Sequence, residues 1–147
     1  MILFIQGIHE YHFKVFMRNG EIHEYRGCTI RQFLNRLCIC YGFTYEGSRR
    51  AISKSLHIRR DLPLYLNNQL LLFPIKDLQN QVRVWINYAV LQESIWKGKE
   101  CHLFFQGQVE LTCVMSNPSF ERQKSRCYFY LYVQKCYQER TQKKLPV

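Results

Sequence analysis

Apolar and polar side chains alternate through Phe13-Lys14-Val15-Phe16-Met17-Arg18 and Glu21-Ile22-His23-Glu24-Tyr25-Arg26, which is the period of a strand with one buried face. Between them Asn19-Gly20 accepts the positive φ angles of a type I′ turn, so residues 12–26 predict a hairpin, and Met1–Gln6 adds a third strand. At Thr29 the period changes. Ile30, Phe33, Leu34, Leu37, Cys38 and Tyr41 follow i, i+3, i+4, i+7, i+8 spacing, Thr29 can cap the helix they define, and Gly42 can end it in the left-handed region. A polar, turn-rich stretch covers residues 43–61. Strands Leu64–Leu66 and Gln69–Phe73 then flank Asn67-Asn68, with Pro74 closing the second.

Val82, Val84, Ile86, Tyr88 and Val90 alternate on one face of a further strand, and His102–Phe105 pairs with Val109–Val114 across Gly107-Gln108. Asn117-Pro118 supplies an N-cap and a first-turn proline, after which residues 118–140 read as one long helix. Cys127–Val133, the longest apolar run, has a buried strand as its alternative. The fold class is α+β: an antiparallel sheet or partial barrel with two packed helices.

With 147 residues, 47% hydrophobic and 15% aromatic, the chain has material for one core and not for two, so residues 1–147 are expected to form a single domain. Cys127–Val133 is far short of the roughly 18–20 apolar residues of a membrane span, and the N-terminus lacks a signal-peptide pattern. Seven cysteines, an odd number spread through apolar contexts, read as reduced core thiols of a cytoplasmic protein.

Charge changes the picture. Residues 31–60 carry seven basic side chains against one acidic and residues 121–147 seven against two, while the other three segments are close to balanced; these two segments hold the whole formal excess of +10. The first contains Arg49, Arg50, Lys54, Arg59 and Arg60, with Thr44, Ser48, Ser53 and Ser55 as further donors to phosphate oxygens. The second contains Arg122, Lys124 and Arg126, followed by Lys135, Arg140, Lys143 and Lys144. Guanidinium predominates, and it forks onto phosphates and enters a narrow, electronegative minor groove better than ammonium does. Arg49, Arg50, Lys54, Arg59, Arg60, Arg122, Lys124 and Arg126 are the candidate DNA-binding residues. Double-stranded DNA is the ligand they predict, reached in the minor groove by a flexible loop 48–60, because the Thr29–Tyr41 helix spends most of its faces on apolar residues.

Other chemistries find little support. Cys38 and Cys40 stand two apart on a predicted helix and point about 200° apart, which is not a zinc pair. His9, His12 and His23 beside a hairpin read as structural or solvated. There is no nucleophile elbow, P-loop, dinucleotide fingerprint or close carboxylate pair. No catalysis, metal or cofactor is expected. Two alternatives stay open: a module that stacks single-stranded nucleic acid or RNA on its aromatics, and a chain acting only through protein contacts.

Gly42-Phe43-Thr44-Tyr45-Glu46-Gly47, Pro63, Gln69-Leu70-Leu71-Leu72-Phe73-Pro74, Trp85-Ile86 and Asn117-Pro118-Ser119-Phe120-Glu121-Arg122-Gln123 stand in an order and spacing that resembles ComK, the bacterial competence transcription factor family, over residues 28–140. The resemblance implies an activator of DNA-uptake and recombination genes that binds paired A/T-rich boxes through the minor groove as a dimer or higher homo-oligomer, with RNA polymerase as a further partner. It also implies a C-terminal tail that an adaptor delivers to a Clp protease; Lys143-Lys144-Leu145-Pro146-Val147 is short for that control. The chain departs from the family at Ser48, where an arginine is usual and Arg49 and Arg50 follow instead, and at Ile75, which replaces threonine. A paralogue that has lost activation is the degenerate form of the same reading.

Overall fold

The computed structural model describes residues 1–144, with side chains through Thr141. Among the described residues the chain forms nine strands and three α-helices, an α+β fold built on two open antiparallel sheets. Strands β1 (Ile2–His9), β2 (His12–Met17), β3 (Ile22–Arg26), β4 (Leu64–Asn67), β5 (Leu70–Asp77) and β6 (Val82–Asn87) make a sheet in the order β3-β2-β1-β6-β5-β4. The second sheet is β7 (Leu91–Lys97), β8 (Glu100–Phe105) and β9 (Val109–Val114). Helices α1 (Ile30–Cys40) and α2 (Tyr45–Leu56) follow the first hairpin, and α3 (Asn117–Lys144) ends the fold.

Both faces of the larger sheet are covered, which is why its central strands are nearly continuous runs of apolar residues. Leu71, Phe73, Val84 and Ile86 face the smaller sheet and α3, where they meet Leu103, Phe105, Phe120 and Cys127. Ile5, Phe13, Leu72 and Trp85 face the other way, onto Leu34 and Cys38 of α1 and Tyr45 of α2. Ile52, Leu62 and Tyr130 join α2 to α3 in a third cluster. Asn87, fully buried at the end of β6, stitches these strands together. Its amide nitrogen donates to the carbonyls of Ile2 (2.8 Å) and Gln69 (3.0 Å), and its oxygen accepts from the N–H groups of Leu71 and Ala89 (both 3.2 Å).

α1 begins and ends as its sequence predicts. Thr29 and Gln32 form a reciprocal capping box, and Gly42 at φ +82° closes a Schellman motif in which the N–H groups of Gly42 and Phe43 donate to Ile39 and Cys38. The hairpin at residues 12–26 is present, but Asn19 does not take a positive φ. Met17 to Gly20 form a turn closed by the Gly20 N–H on the Met17 carbonyl, with Gly20 alone left-handed, as in a type I turn with a glycine bulge.

Four further expectations are corrected. Residues 45–56 are helical, so the flexible loop expected over 48–60 is reduced to its last part; Thr44 caps α2 by accepting from the Gly47 N–H at 3.0 Å. This also makes three helices where two were expected. β5 does not stop at Pro74 but runs to Asp77, because β4 pairs only with Leu70–Leu72 and leaves the Pro74 nitrogen on an unpaired edge where no donor is needed. The cap of α3 is Ser116, whose Oγ accepts from the Ser119 N–H at 3.3 Å, and not Asn117. β6 stops at Asn87, whose side chain caps a short 3-10 turn over Tyr88–Val90 where the strand was expected to continue, and the half-exposed β7 that follows has no counterpart in the sequence reading. Cys127–Val133 is helical: Cys127 and Tyr130 are buried three residues apart, while Tyr128, Phe129 and Tyr132 are exposed.

All seven cysteines are free. Cys38, Cys101, Cys113 and Cys127 are buried, Cys28 and Cys136 half-buried, and Cys40 exposed. Burial pushes the Cys101 thiol up to about 11 and the Cys113 thiol up to about 12, and it raises Cys38 and Cys127 as well. The thiolate is the reactive form, so a maleimide at mildly alkaline pH is expected to modify Cys40 first and the four buried thiols only on denaturation. Mass spectrometry of the labelled protein over time checks this; early modification of Cys101 or Cys113 would refute it.

A candidate nucleic-acid interface

The basic residues that meet in space are not those that cluster in sequence. Lys76 on β5 and Arg83 on β6 are direct cross-strand neighbours beside the tight Asp77–Val82 turn. That turn is held by the buried Asp77, whose carboxylate accepts from the Gln79 N–H and the Asn80 amide, both at 3.0 Å. Like charges directly opposite one another destabilise a sheet, so this pair carries a cost in the free protein. Arg122 and Arg126, one turn apart on α3, face the same space. The four cations line a cleft of about 550 Å³ whose single carboxylate is Asp61, paired with Arg83 at 2.9 Å. Partial burial first, and then the neighbouring Arg122, lower the pKa of the Arg126 guanidinium, while Asp61 acts in the opposite sense.

Gln123 fixes the floor of this cleft. Its side chain is buried and its amide nitrogen donates to the carbonyls of Asp61 (2.8 Å) and Pro74 (2.7 Å), while Arg126 donates to Gln123 Oε1 (3.2 Å) and to the Arg60 carbonyl (3.4 Å). The segment carrying Arg59 and Arg60 is therefore tied by its backbone to α3 and β5, and both arginine side chains remain exposed.

Arg83 also borders a second cleft of about 420 Å³, lined by Arg31 of α1, Tyr45 and Arg49 of α2, and Gly7 of β1. A Cβ on Gly7 would lie 2.7 Å from the Arg83 carbonyl, so glycine is what lets β1 approach β6 here. Arg31 and Arg49 flank the Tyr45 ring, their guanidinium carbons 5.5 and 5.7 Å from its centroid, and Arg31 pairs with Glu46 at 2.9 Å. Arg83, Gln81 and Val82 border both clefts. These two adjoining clefts, together called the furrow, are bordered by Arg31, Arg49, Arg83, Lys76, Arg122 and Arg126, with Asp61 and Glu10 as their carboxylates.

Of the eight residues expected from the sequence, Arg49, Arg122 and Arg126 line the furrow. Arg59 and Arg60 stand at its edge. Arg50 and Lys54 are exposed on α2 away from the Tyr45, Ser48 and Ile52 face and line neither cleft. Lys124 belongs to another side of α3, where it lies 5.1 Å from the Phe120 ring centroid, pairs with Glu121 at 3.6 Å and borders a separate depression with Tyr88 and Leu131. Arg31, Lys76 and Arg83 were missed, since each stands alone in sequence and the segment holding the last two is neutral overall.

Two of the three hairpin histidines have carboxylate partners, and His9 is exposed with its ring against that of His12. His12 hydrogen-bonds Glu24 at 2.6 Å, a contact that, followed by Arg26, holds the Glu24 carboxyl below its usual range, and His23 bonds Glu21 at 3.0 Å. Among the described residues no group of three His, Cys, Asp or Glu side chains is placed to hold a metal ion, and no helix is long and apolar enough to cross a membrane. A family model described as ComK protein matches residues 2–140. Comparison with curated proteins and with solved structures returned no match.

Proposed function

Since the chain belongs to the ComK family, a family of competence transcription factors, we propose that residues 1–147 act as one DNA-binding domain that holds A/T-rich duplex in the furrow and activates competence genes without catalysis of its own. The observation that carries this reading is the juxtaposition of Lys76 with Arg83 and of Arg122 with Arg126 around a single carboxylate. Two like-charged pairs, from different elements, face one space that a polyanion would neutralise. Five of the six cations are arginines, the residue suited to a narrow A-tract minor groove, and Arg59 and Arg60 extend the same edge on the remaining loop. Binding to paired boxes as a homo-oligomer, recruitment of RNA polymerase and adaptor-mediated delivery to a Clp protease belong to the same reading. The last concerns Lys143 to Val147, which lie outside the described side chains.

One observation favours a second reading. α1 and α2 are joined by the four residues Tyr41 to Thr44, and α2 presents Arg50 and Lys54 to solvent, as a helix entering the major groove would. Competition separates the two. Distamycin, which fills the minor groove, is expected to displace the protein from an A/T-rich duplex, and methylation of guanine N7 is expected to leave binding intact. The reverse outcome would move the contact to α2 and the major groove. A single strand that competes as well as the duplex would refute duplex recognition altogether.

A further inference from the structure

α3 is longer than the body it packs on. Twenty-eight residues span about 42 Å, yet its fully buried side chains end at Tyr130, and Tyr137 to Thr141 are all exposed. Opposite the buried face of Phe120, Gln123, Cys127 and Tyr130 runs a second stripe, aromatic at its centre. Ser125, Phe129, Tyr132 and Cys136 recur at intervals of four, three and four, which is the spacing of a helix–helix seam, with Tyr128 beside it. Tyr128, Phe129 and Tyr132 are 67%, 51% and 56% exposed. Solvated aromatics grouped on the outer face of a helix mark a surface suited to being covered.

The order of residues along the stripe identifies the cover. Its centre is the level of Tyr130 and Leu131, and about that level its spacing is symmetric. In an antiparallel pair of α3 helices Phe129 meets Tyr132 of the second copy, Ser125 meets Cys136, and Glu121 comes level with Arg140. Arg122 comes level with Glu139 in the same register. A parallel pair would set Glu121 against Glu121 and Arg140 against Arg140. From these features we infer that α3 forms an antiparallel two-fold interface with a second copy of this chain through Phe129 and Tyr132, fixed in register by Glu121 and Arg140. The inference deepens the oligomeric part of the proposed function, and association is measured without duplex DNA, so that failure of duplex recognition leaves it standing. The three exposed aromatics of each copy offer on the order of 700 Å² for burial in the pair. Adjoining Val133, Cys136 and the aliphatic stems of the end residues bring that toward the ~1,200 Å² of a specific interface.

The experiment is sedimentation equilibrium of the full chain across a range of micromolar concentrations. The wild-type protein is expected at twice its 17.8 kDa mass. Phe129→Glu and Tyr132→Glu are each expected to return it to the monomer mass with an unchanged circular dichroism spectrum. Glu121→Arg and Arg140→Glu should each weaken association by roughly tenfold, and the double variant should recover it. A monomeric wild-type chain, or a dimer indifferent to both glutamate variants, overturns the proposal. So does a double charge swap that fails to restore association, because it removes the antiparallel register. If the glutamate variants leave the mass unchanged but abolish binding of a fluorescent single-stranded oligonucleotide, the stripe is a stacking platform instead.

Discussion

Replacing Arg83 and Arg122 together by alanine is expected to weaken binding to an A/T-rich duplex by about 100-fold or more, since each charge-assisted hydrogen bond to a phosphate contributes about 1.5–3 kcal/mol. The dependence of log K on log salt, expected near −5 to −7 for about six to eight neutralised phosphates, should flatten by about two. Arg50→Ala with Lys54→Ala removes the same charge from outside the furrow and should cost far less. Fluorescence anisotropy titrations at several salt concentrations measure all three proteins. Both arginines lie at the surface and the Arg83–Asp61 pair is more than half exposed, so stability should move by no more than about 1 kcal/mol. Equal losses in the two double variants would refute the furrow and favour α2 as the reading element.

A second large effect is expected in the core. Asn87→Leu keeps the branching of the side chain but deprives the carbonyls of Ile2 and Gln69 and the N–H groups of Leu71 and Ala89 of a buried partner. At about 1 kcal/mol or more for each stranded group the cost is roughly 4 kcal/mol. For a domain of this size that corresponds to a fall of about 8–16 °C in Tm, read by calorimetry. A shift below about 3 °C would mean that these backbone groups are satisfied elsewhere.

Much of the fold follows from local pattern. The capping box and Gly42 delimit α1 in the sequence itself, and the β2–β3 hairpin follows from alternation around Asn19-Gly20. α2 escaped because Ser48 takes a core position between Tyr45 and Ile52, and its hydroxyl is satisfied only by the distant Tyr65 carbonyl at 3.1 Å. Gly47, Ser53 and Ser55 lower the helix propensity further, so the apolar spacing is masked. Pro74 misled for a related reason: whether a proline ends a strand depends on how far its neighbour extends, and β4 is short. The candidate site was legible as chemistry and not as a list. Runs of charge identify Arg49, Arg122 and Arg126, but Lys76 and Arg83 face one another only through the register of β5 and β6.

Asp61, already described as the carboxylate paired with Arg83, has a consequence for the kinetics of search. It occupies a guanidinium that a phosphate would otherwise claim, from a backbone at φ +52° whose carbonyl Gln123 holds in place. In the proposed complex, a phosphate that takes the Arg83 guanidinium would displace this resident anion, whatever the sequence of the strand. Under the proposed function the exchange weakens specific and random contacts by the same factor, so it shortens every complex and leaves the ratio between them unchanged. If duplex DNA is held there, an internal competitor of this kind would bring already brief contacts on random sequence below a useful lifetime, while a site that engages the whole furrow would keep one through its other contacts.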